Sequence, residues 1–251
     1  MALVLAGRGM NVALVARRED RLRELAHEIE TGHKVYARVI PLDLGRLEAP
    51  VALCSRLKEE GIQPEVFINN AGFGIKGDFV AVPWERQEQM LNLNLVNLTH
   101  LTRLLLPEML QRGSGYILQV SSIGAYQPTP TYATYAAAKS YVLNFGEAVN
   151  WELKGSGVSV SVLSPGGTLT EFMDVAGQKP GFMVRLVSMT SRRVAEIGIN
   201  GMLRRQSNIL PGWRNWLTAF TTRLVPRWLL MFMADWIMYD RDAPSARAGK
   251  Q

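Results

Sequence analysis

Tyr135 and Lys139 stand four residues apart in the run YAAAK, inside a pattern that predicts a helix over Tyr132–Leu153. Residues at i and i+4 share a helix face, which sets an ammonium beside a phenol. A neighbouring cation favours phenolate and draws the tyrosine pKa down from about 10. Such a phenol suits the proton transfer that accompanies carbonyl reduction or alcohol oxidation. A lone Y-x-x-x-K also arises by chance in helix-rich chains. Ser122 lies thirteen residues before Tyr135, at the carboxyl end of a predicted strand. Its hydroxyl is placed to hold a carbonyl beside the phenol, although a serine there also serves simply to cap a turn.

These side chains need a scaffold, and the chain alternates short β-branched runs with longer helical patterns. Strands are expected at Asn11–Ala16, Lys34–Leu42, Glu65–Asn69, Tyr116–Val120 and Val158–Leu163, with a short last one at Asn208–Leu210. Helices are expected at Glu19–Glu30, Pro50–Glu60 (stopped by Gly61), Trp84–Arg112 (bent or restarted at Pro107) and Tyr132–Leu153. The alternation predicts βαβ units around a parallel sheet. In an open parallel sheet the ligand crevice lies outside the carboxyl ends of the strands. Arg17, Asp43, Asn69–Gly72, Ser121–Ser122 and Pro165–Gly167 all fall there.

Taken in order, Asn69-Asn70-Ala71-Gly72, Asn94 in NLNLVNLTHLT, Ser122, Tyr135-x-x-x-Lys139 and Pro165-Gly-Gly-Thr-Leu-Thr170 resemble the short-chain dehydrogenase/reductases. The resemblance runs from about residue 3 to about residue 215, with the motifs at the family's spacings, and it points to an NADP-preferring branch. It implies a three-layer, doubly wound α/β fold of Rossmann type and NADP(H)-linked reduction of a ketone or aldehyde, or the reverse. It also implies roles. Tyr135 would exchange the proton with the carbonyl oxygen, Lys139 would lower its pKa and bind the nicotinamide ribose, and Ser122 would polarise the carbonyl. Asn94 would kink its helix and hold a relay water, with Asn92 and Asn97 as nearby rivals. Asn70, Ala71 and Gly72 would floor the cofactor site, and Pro165, Gly166, Thr168 and Thr170 would approach the nicotinamide. Asp43 and Leu44 would meet the adenine.

Cofactor choice has its own physical reading. The strand Asn11–Ala16 ends at Arg17-Arg18, with no acid at the place where NAD sites carry one for the ribose 2′-hydroxyl. Arginine suits a 2′-phosphate through charge-assisted, often bidentate bonds, which favours NADP over NAD. The same pair also reads as a solvated helix start.

The family's opening strand and glycine-rich turn, which lay backbone amides against the pyrophosphate, have no counterpart in this sequence. Met1–Ala6 reads as the last turns of the helix that should follow them, and Gly7-Arg-Gly9 as its stop. That strand is central in the order 3-2-1-4-5-6. Without it several backbone groups lose partners at roughly 1–3 kcal/mol each, against a domain stability of ~5–15 kcal/mol. Two expectations follow. Either the working protein carries about 20–25 further residues ahead of Met1, or this is a short, non-catalytic form with impaired dinucleotide binding.

Composition bounds the remainder. The chain has 251 residues with 47% hydrophobic and 20% charged, which fits an ordinary globular α/β domain over residues 1–239. One cysteine, Cys54, and three scattered histidines leave no disulfide framework and no expected metal site. His100 reads as a packed helix residue. No apolar run reaches the ~18–20 residues of a membrane span, and the expected location is cytoplasmic. Residues 1–153 are near neutral, whereas 154–251 carry a net charge of +7 without a Lys/Arg tract, so nucleic acid is not expected as a partner. Residues 171–239 form the variable substrate region, and Asp240–Gln251 reads as a disordered tail. Trp213, Trp216, Leu217, Phe220 and Leu224 keep helical spacing, as do Trp228, Phe232 and Trp236, with Pro226 between the two sets. Such helices suit ordinary packing or a dimer interface, a lid over an apolar carbonyl or alcohol substrate, or a membrane-surface contact beside Arg214, Arg223 and Arg227. The resemblance implies a homodimer or homotetramer built on the helices around 84–112 and 132–153.

Overall fold

The computed structural model describes residues 1–169 and 189–238. Thr170 and the tail 240–251, for which expectations were set out above, lie outside the described residues. The short helix α1 (Ala2–Ala6) turns at Gly9 into β1 (Val12–Ala16), followed by α2 (Glu19–His33), β2 (Ala37–Pro41), α3 (Ala49–Glu59) and β3 (Val66–Asn69). Then come α4 (Trp84–Leu91), a π-helical turn (Asn92–Val96) and α5 (Asn97–Arg112). After β4 (Gly115–Val120) and a 3-10 turn (Ile123–Tyr126), α6 (Ala133–Glu152) leads to β5 (Val158–Leu163). The described chain continues with β6 (Thr168–Leu169), β7 (Met189–Thr190), α7 (Ser191–Leu203), β8 (Asn208–Ile209), α8 (Trp213–Thr221) and α9 (Arg227–Met238). Pro107 stays inside α5 and does not restart the helix.

All strand pairs are parallel, as the alternation of strands and helices requires. β5 shows how the layers form. Val158, Val160 and Val162 point to the side of α5 and α6, where they pack with Met109, Ile117, Leu143 and Leu153. Leu163 points the other way, into a core with Leu118, Val194, Ile199 and Met202 under α7, joined by Leu5 of α1. All six residues of β5 are buried, as expected of a strand covered on both faces. Gly146 of α6 sits so close to Val162 that any side chain there would collide with it.

The sheet comes in pieces. β2 and β1 form one pair, β3-β4-β5-β8 form a second sheet, and β6-β7 form a small third. Among the described residues no strand lies between β1 and β3, the place where the family's order 3-2-1-4-5-6 puts its first strand. All four residues of β3 are only half-buried, in contrast to β5. The two larger pieces meet through side chains instead: Ile40 and Val15 pack with Leu53, Leu57, Leu101 and Phe67. Asn97 reinforces this, donating from Nδ2 to the carbonyls of Leu44 (2.7 Å) and Arg46 (2.8 Å).

Candidate active site

β4 and α6 bring the central residues together. β4 ends at Val120, and Ser121 bonds back to α6, its Oγ donating to the Lys139 carbonyl at 2.7 Å. Ser122 adopts an extended backbone and caps the 3-10 turn, its Oγ accepting from the Gly124 amide at 3.1 Å. The same hydroxyl hydrogen-bonds Tyr135, so the cap and the contact with the phenol coexist in one side chain. Tyr135 is half-buried and Lys139 buried. The Lys139 ammonium lies 5.8 Å from the Tyr135 ring centre and donates to the Val120 carbonyl at 2.9 Å.

The electrostatics depart from the sequence expectation. Burial pushes the Tyr135 phenol up to about 12, with the Ser122 hydrogen bond acting the other way. Burial also pulls Lys139 down to about 8. Desolvation disfavours both charged forms and is the leading cause of each shift. The predicted lowering of the tyrosine pKa by Lys139 is therefore corrected: in the ligand-free chain the phenol stays protonated. Tyr132, against the Tyr135 ring at 6.1 Å, is raised as well, chiefly by burial.

Asn94 is fully buried in the π-helical turn, which is the expected kink. Its side chain grips the loop after β3 from both ends, Nδ2 donating to the Phe73 carbonyl (2.8 Å) and Oδ1 accepting from the Phe73 amide (3.2 Å). A Cβ at Gly72 would lie 2.6 Å from Asn94 Oδ1 and 3.5 Å from Lys139 Nζ, so position 72 has no room for a side chain. Gly72, Asn94 and Lys139 thus meet at one place, with Asn70 and Ala71 exposed just before it in the loop after β3. Asn97, weighed as a rival to Asn94, holds the loop after β2 instead.

The remaining expected residues fall at the carboxyl ends of their strands. Arg17 and Arg18 are exposed after β1, and Asp43 follows β2 with its Oδ1 accepting from the Gly45 amide at 3.0 Å, beside Leu44. Pro165 and Gly166 follow β5, where the Pro165 carbonyl accepts from the Ile123 amide at 2.8 Å. Gly166 backs directly onto Asn215 of α8, with no space for a Cβ between them. Thr168 lies in β6. Sequence reasoning missed Asn215, and it missed the cluster in which Asn208 Nδ2 donates to Glu147 Oε1 (2.8 Å) and the Tyr126 hydroxyl donates to Asn208 Oδ1 (3.0 Å). That cluster pins the 3-10 turn that follows Ser122 to α6 and β8. No local spacing signals it, because its three members come from distant parts of the chain. His100 is half-buried on α5 and Cys54 half-buried on α3. No cluster of three or more His, Cys, Asp or Glu side chains is placed to hold a metal among the described residues.

The model of the short chain dehydrogenase family matches residues 1–181. The chain belongs to the short-chain dehydrogenase family. It is thereby an oxidoreductase of the class acting between alcohols and carbonyls. Among curated proteins it is similar to a very-long-chain 3-oxoacyl-CoA reductase of Anas platyrhynchos, 32% identical over 219 residues, covering 83% of this chain and 68% of the relative. It is also similar to the 7beta-hydroxysteroid dehydrogenase of Collinsella aerofaciens, 28% identical, covering 84% of this chain and 80% of that one. Among solved structures, a short-chain dehydrogenase from Sphingobium yanoikuyae in complex with NADPH superposes with a TM-score of 0.78 at 28% identity, covering 98% of this chain and 93% of that one.

Proposed function

We propose that this short-chain dehydrogenase reduces a ketone or aldehyde to the alcohol, or runs the reverse, with NADP(H) as hydride partner and Tyr135 as proton donor. The carrying observation is the hydrogen-bonded pair Ser122–Tyr135 with Lys139 buried behind it. The bound dinucleotide supplies the hydride, and the chain positions and polarises. Ser122 Oγ and Tyr135 Oη both hydrogen-bond the substrate oxygen. As that oxygen gains charge, Tyr135 Oη gives up its proton. Burial keeps the phenol protonated, which loads the site for reduction. Oxidation needs the phenolate, which the Lys139 ammonium favours while it remains charged.

The residues present fit the two ends of the cofactor. Gly72, packed without room for a Cβ against Asn94 and Lys139, is assigned with Asn70 and Ala71 to the floor of the cofactor site. Pro165, Gly166, Thr168 and Thr170 are assigned to the nicotinamide side, Asp43 and Leu44 to the adenine, and Arg17 with Arg18 to the 2′-phosphate. Arg17 is exposed at a strand end, as a phosphate-binding guanidinium should be. A second reading, a chain that keeps these residues but holds the dinucleotide poorly and is not catalytic, draws on the gap between β1 and β3. The exposed outer sides of α5 and α6, with Tyr141 and Trp151, are the surfaces for a homodimer or homotetramer.

Titration with NADPH by fluorescence, followed by a panel of apolar ketones and aldehydes, tests the reading. Binding is expected, with turnover that falls about 10²–10⁴-fold in Tyr135→Phe while NADPH affinity holds. No binding establishes the second reading. Turnover undiminished in Tyr135→Phe removes Tyr135 from the chemistry.

A further inference from the structure

The helices α8 and α9 carry their side chains in an unusual way. Toward the protein they bury Ala219, Leu230 and Ala234. Away from it they expose Trp213 (70%), Phe220 (44%), Leu224 (71%), Trp228 (66%), Phe232 (67%) and Trp236 (74%). Two alanines and one leucine therefore face the domain while the aromatic rings face outward, the reverse of a surface helix seated on its own core. Along α8, Trp213, Trp216 and Phe220 recur at three- and four-residue steps, continued by Leu224 in the turn after it; along α9, Trp228, Phe232 and Trp236 recur at four. Each helix thus carries its own exposed aromatic stripe. Arg214, Arg223 and Arg227 are exposed on the same two-helix unit, against a single acidic residue, Asp235. Neither helix is long and apolar enough to cross a bilayer.

We infer that α8 and α9 dock this chain on an anionic lipid surface, with the tryptophan and phenylalanine rings in the headgroup–acyl boundary and the three arginines at the phosphates. The charge selects lipid over a second copy, because pairing this face with itself would bring six arginines together. Tryptophan, apolar in its body and polar at its N–H, suits that boundary. α8 itself borders the candidate site: it packs on the 3-10 turn that follows Ser122, and Asn215 touches Gly166. Docking thus brings the site's border to the bilayer. Resting further on the proposed reductase function, the substrate is a bilayer-soluble carbonyl compound that enters from the membrane.

The full chain is sedimented with vesicles of phosphatidylcholine alone and with about one-third phosphatidylglycerol. Binding is expected to the mixed vesicles, with a blue shift of tryptophan emission. The triple variant Trp213→Ser/Trp228→Ser/Trp236→Ser is expected to lose at least about tenfold in affinity. Arg214→Glu/Arg223→Glu/Arg227→Glu should abolish the preference for anionic vesicles. Neither variant touches the catalytic set, so turnover of a water-soluble ketone should persist in both. Absence of vesicle binding, or a dimer that dissociates in the tryptophan variant while ignoring vesicles, overturns the docking. If the wild type binds vesicles but shows no turnover of any carbonyl, docking stands and only the substrate assignment falls with the reductase reading.

Discussion

Burying an ammonium and a phenol side by side costs stability before any chemistry occurs. Lys139, drawn down to about 8 in the fold from the ordinary lysine value, has no carboxylate partner among its described contacts, which are the Val120 carbonyl and the Tyr135 ring. Below pH 8 both folded and unfolded chains carry the proton, and the penalty is complete, on the order of 3 kcal/mol. Between pH 8 and the unfolded value the folded chain releases the proton first, so stability rises with pH. Lys139→Met lacks this dependence. Urea denaturation at pH 7 and pH 9.5 should therefore show the wild type gaining about 1–2 kcal/mol relative to the variant. An equal difference at both pH values would mean that Lys139 titrates normally. Arg17 makes a second residue-scale prediction. Arg17→Glu replaces a phosphate partner by a repelling carboxylate, and should weaken NADPH by about 1.5–3 kcal/mol while sparing NADH. Matched titrations of the two dinucleotides read the ratio directly.

Helix α6 couples packing to chemistry, because one rigid element carries Tyr135 and Lys139 at its start and Gly146 against β5 farther along. A methyl group at position 146 would run into Val162. Gly146→Ala should cost about 1–3 kcal/mol, lowering Tm by about 2–10 °C, and should reduce turnover because the helix must move off β5. A variant with unchanged Tm would mean that α6 floats more freely than its contacts imply. This element was legible in advance, since twenty residues of helical spacing between turn signals leave little choice. So were β1 to β5, from their β-branched runs, though not the two-residue strands β6 and β7, and the meeting of Ser122, Tyr135 and Lys139, which follows from strand ends and helix faces. Two further things were not. The direction of the Tyr135 shift depends on how much water reaches the phenol, a tertiary quantity that no spacing encodes. Asn208, Glu147 and Tyr126 meet only because β8 pairs with β5, and two residues of strand carry too little pattern to announce their partners.

At the scale of the whole molecule, the two larger hydrogen-bonded sheet units are joined by side chains, and the proposed cofactor would span both. Arg17 and Asp43 ride on the β1–β2 pair, whereas Ser122 and Gly166 ride on the sheet of β3, β4, β5 and β8. β4 is paired on both sides, but β1 pairs only with β2 and β3 only with β4 among the described residues. Half-exposed strands with one bonded edge open at lower free energy than buried strands with two. Amides of β1 and β2 should therefore exchange with solvent about 10–100-fold faster than those of β4 and β5. A ligand that contacts both units binds only when they are docked, so it stabilises the docked state by mass action. NADPH should thus slow exchange in β1 and β2 more than in β4 and β5, and Arg17→Glu should erase that selective protection while leaving the ligand-free pattern unchanged. Uniform protection of all strands in the free chain would show that the packing of Ile40, Val15, Leu101 and Phe67 locks the units together as firmly as backbone hydrogen bonds would.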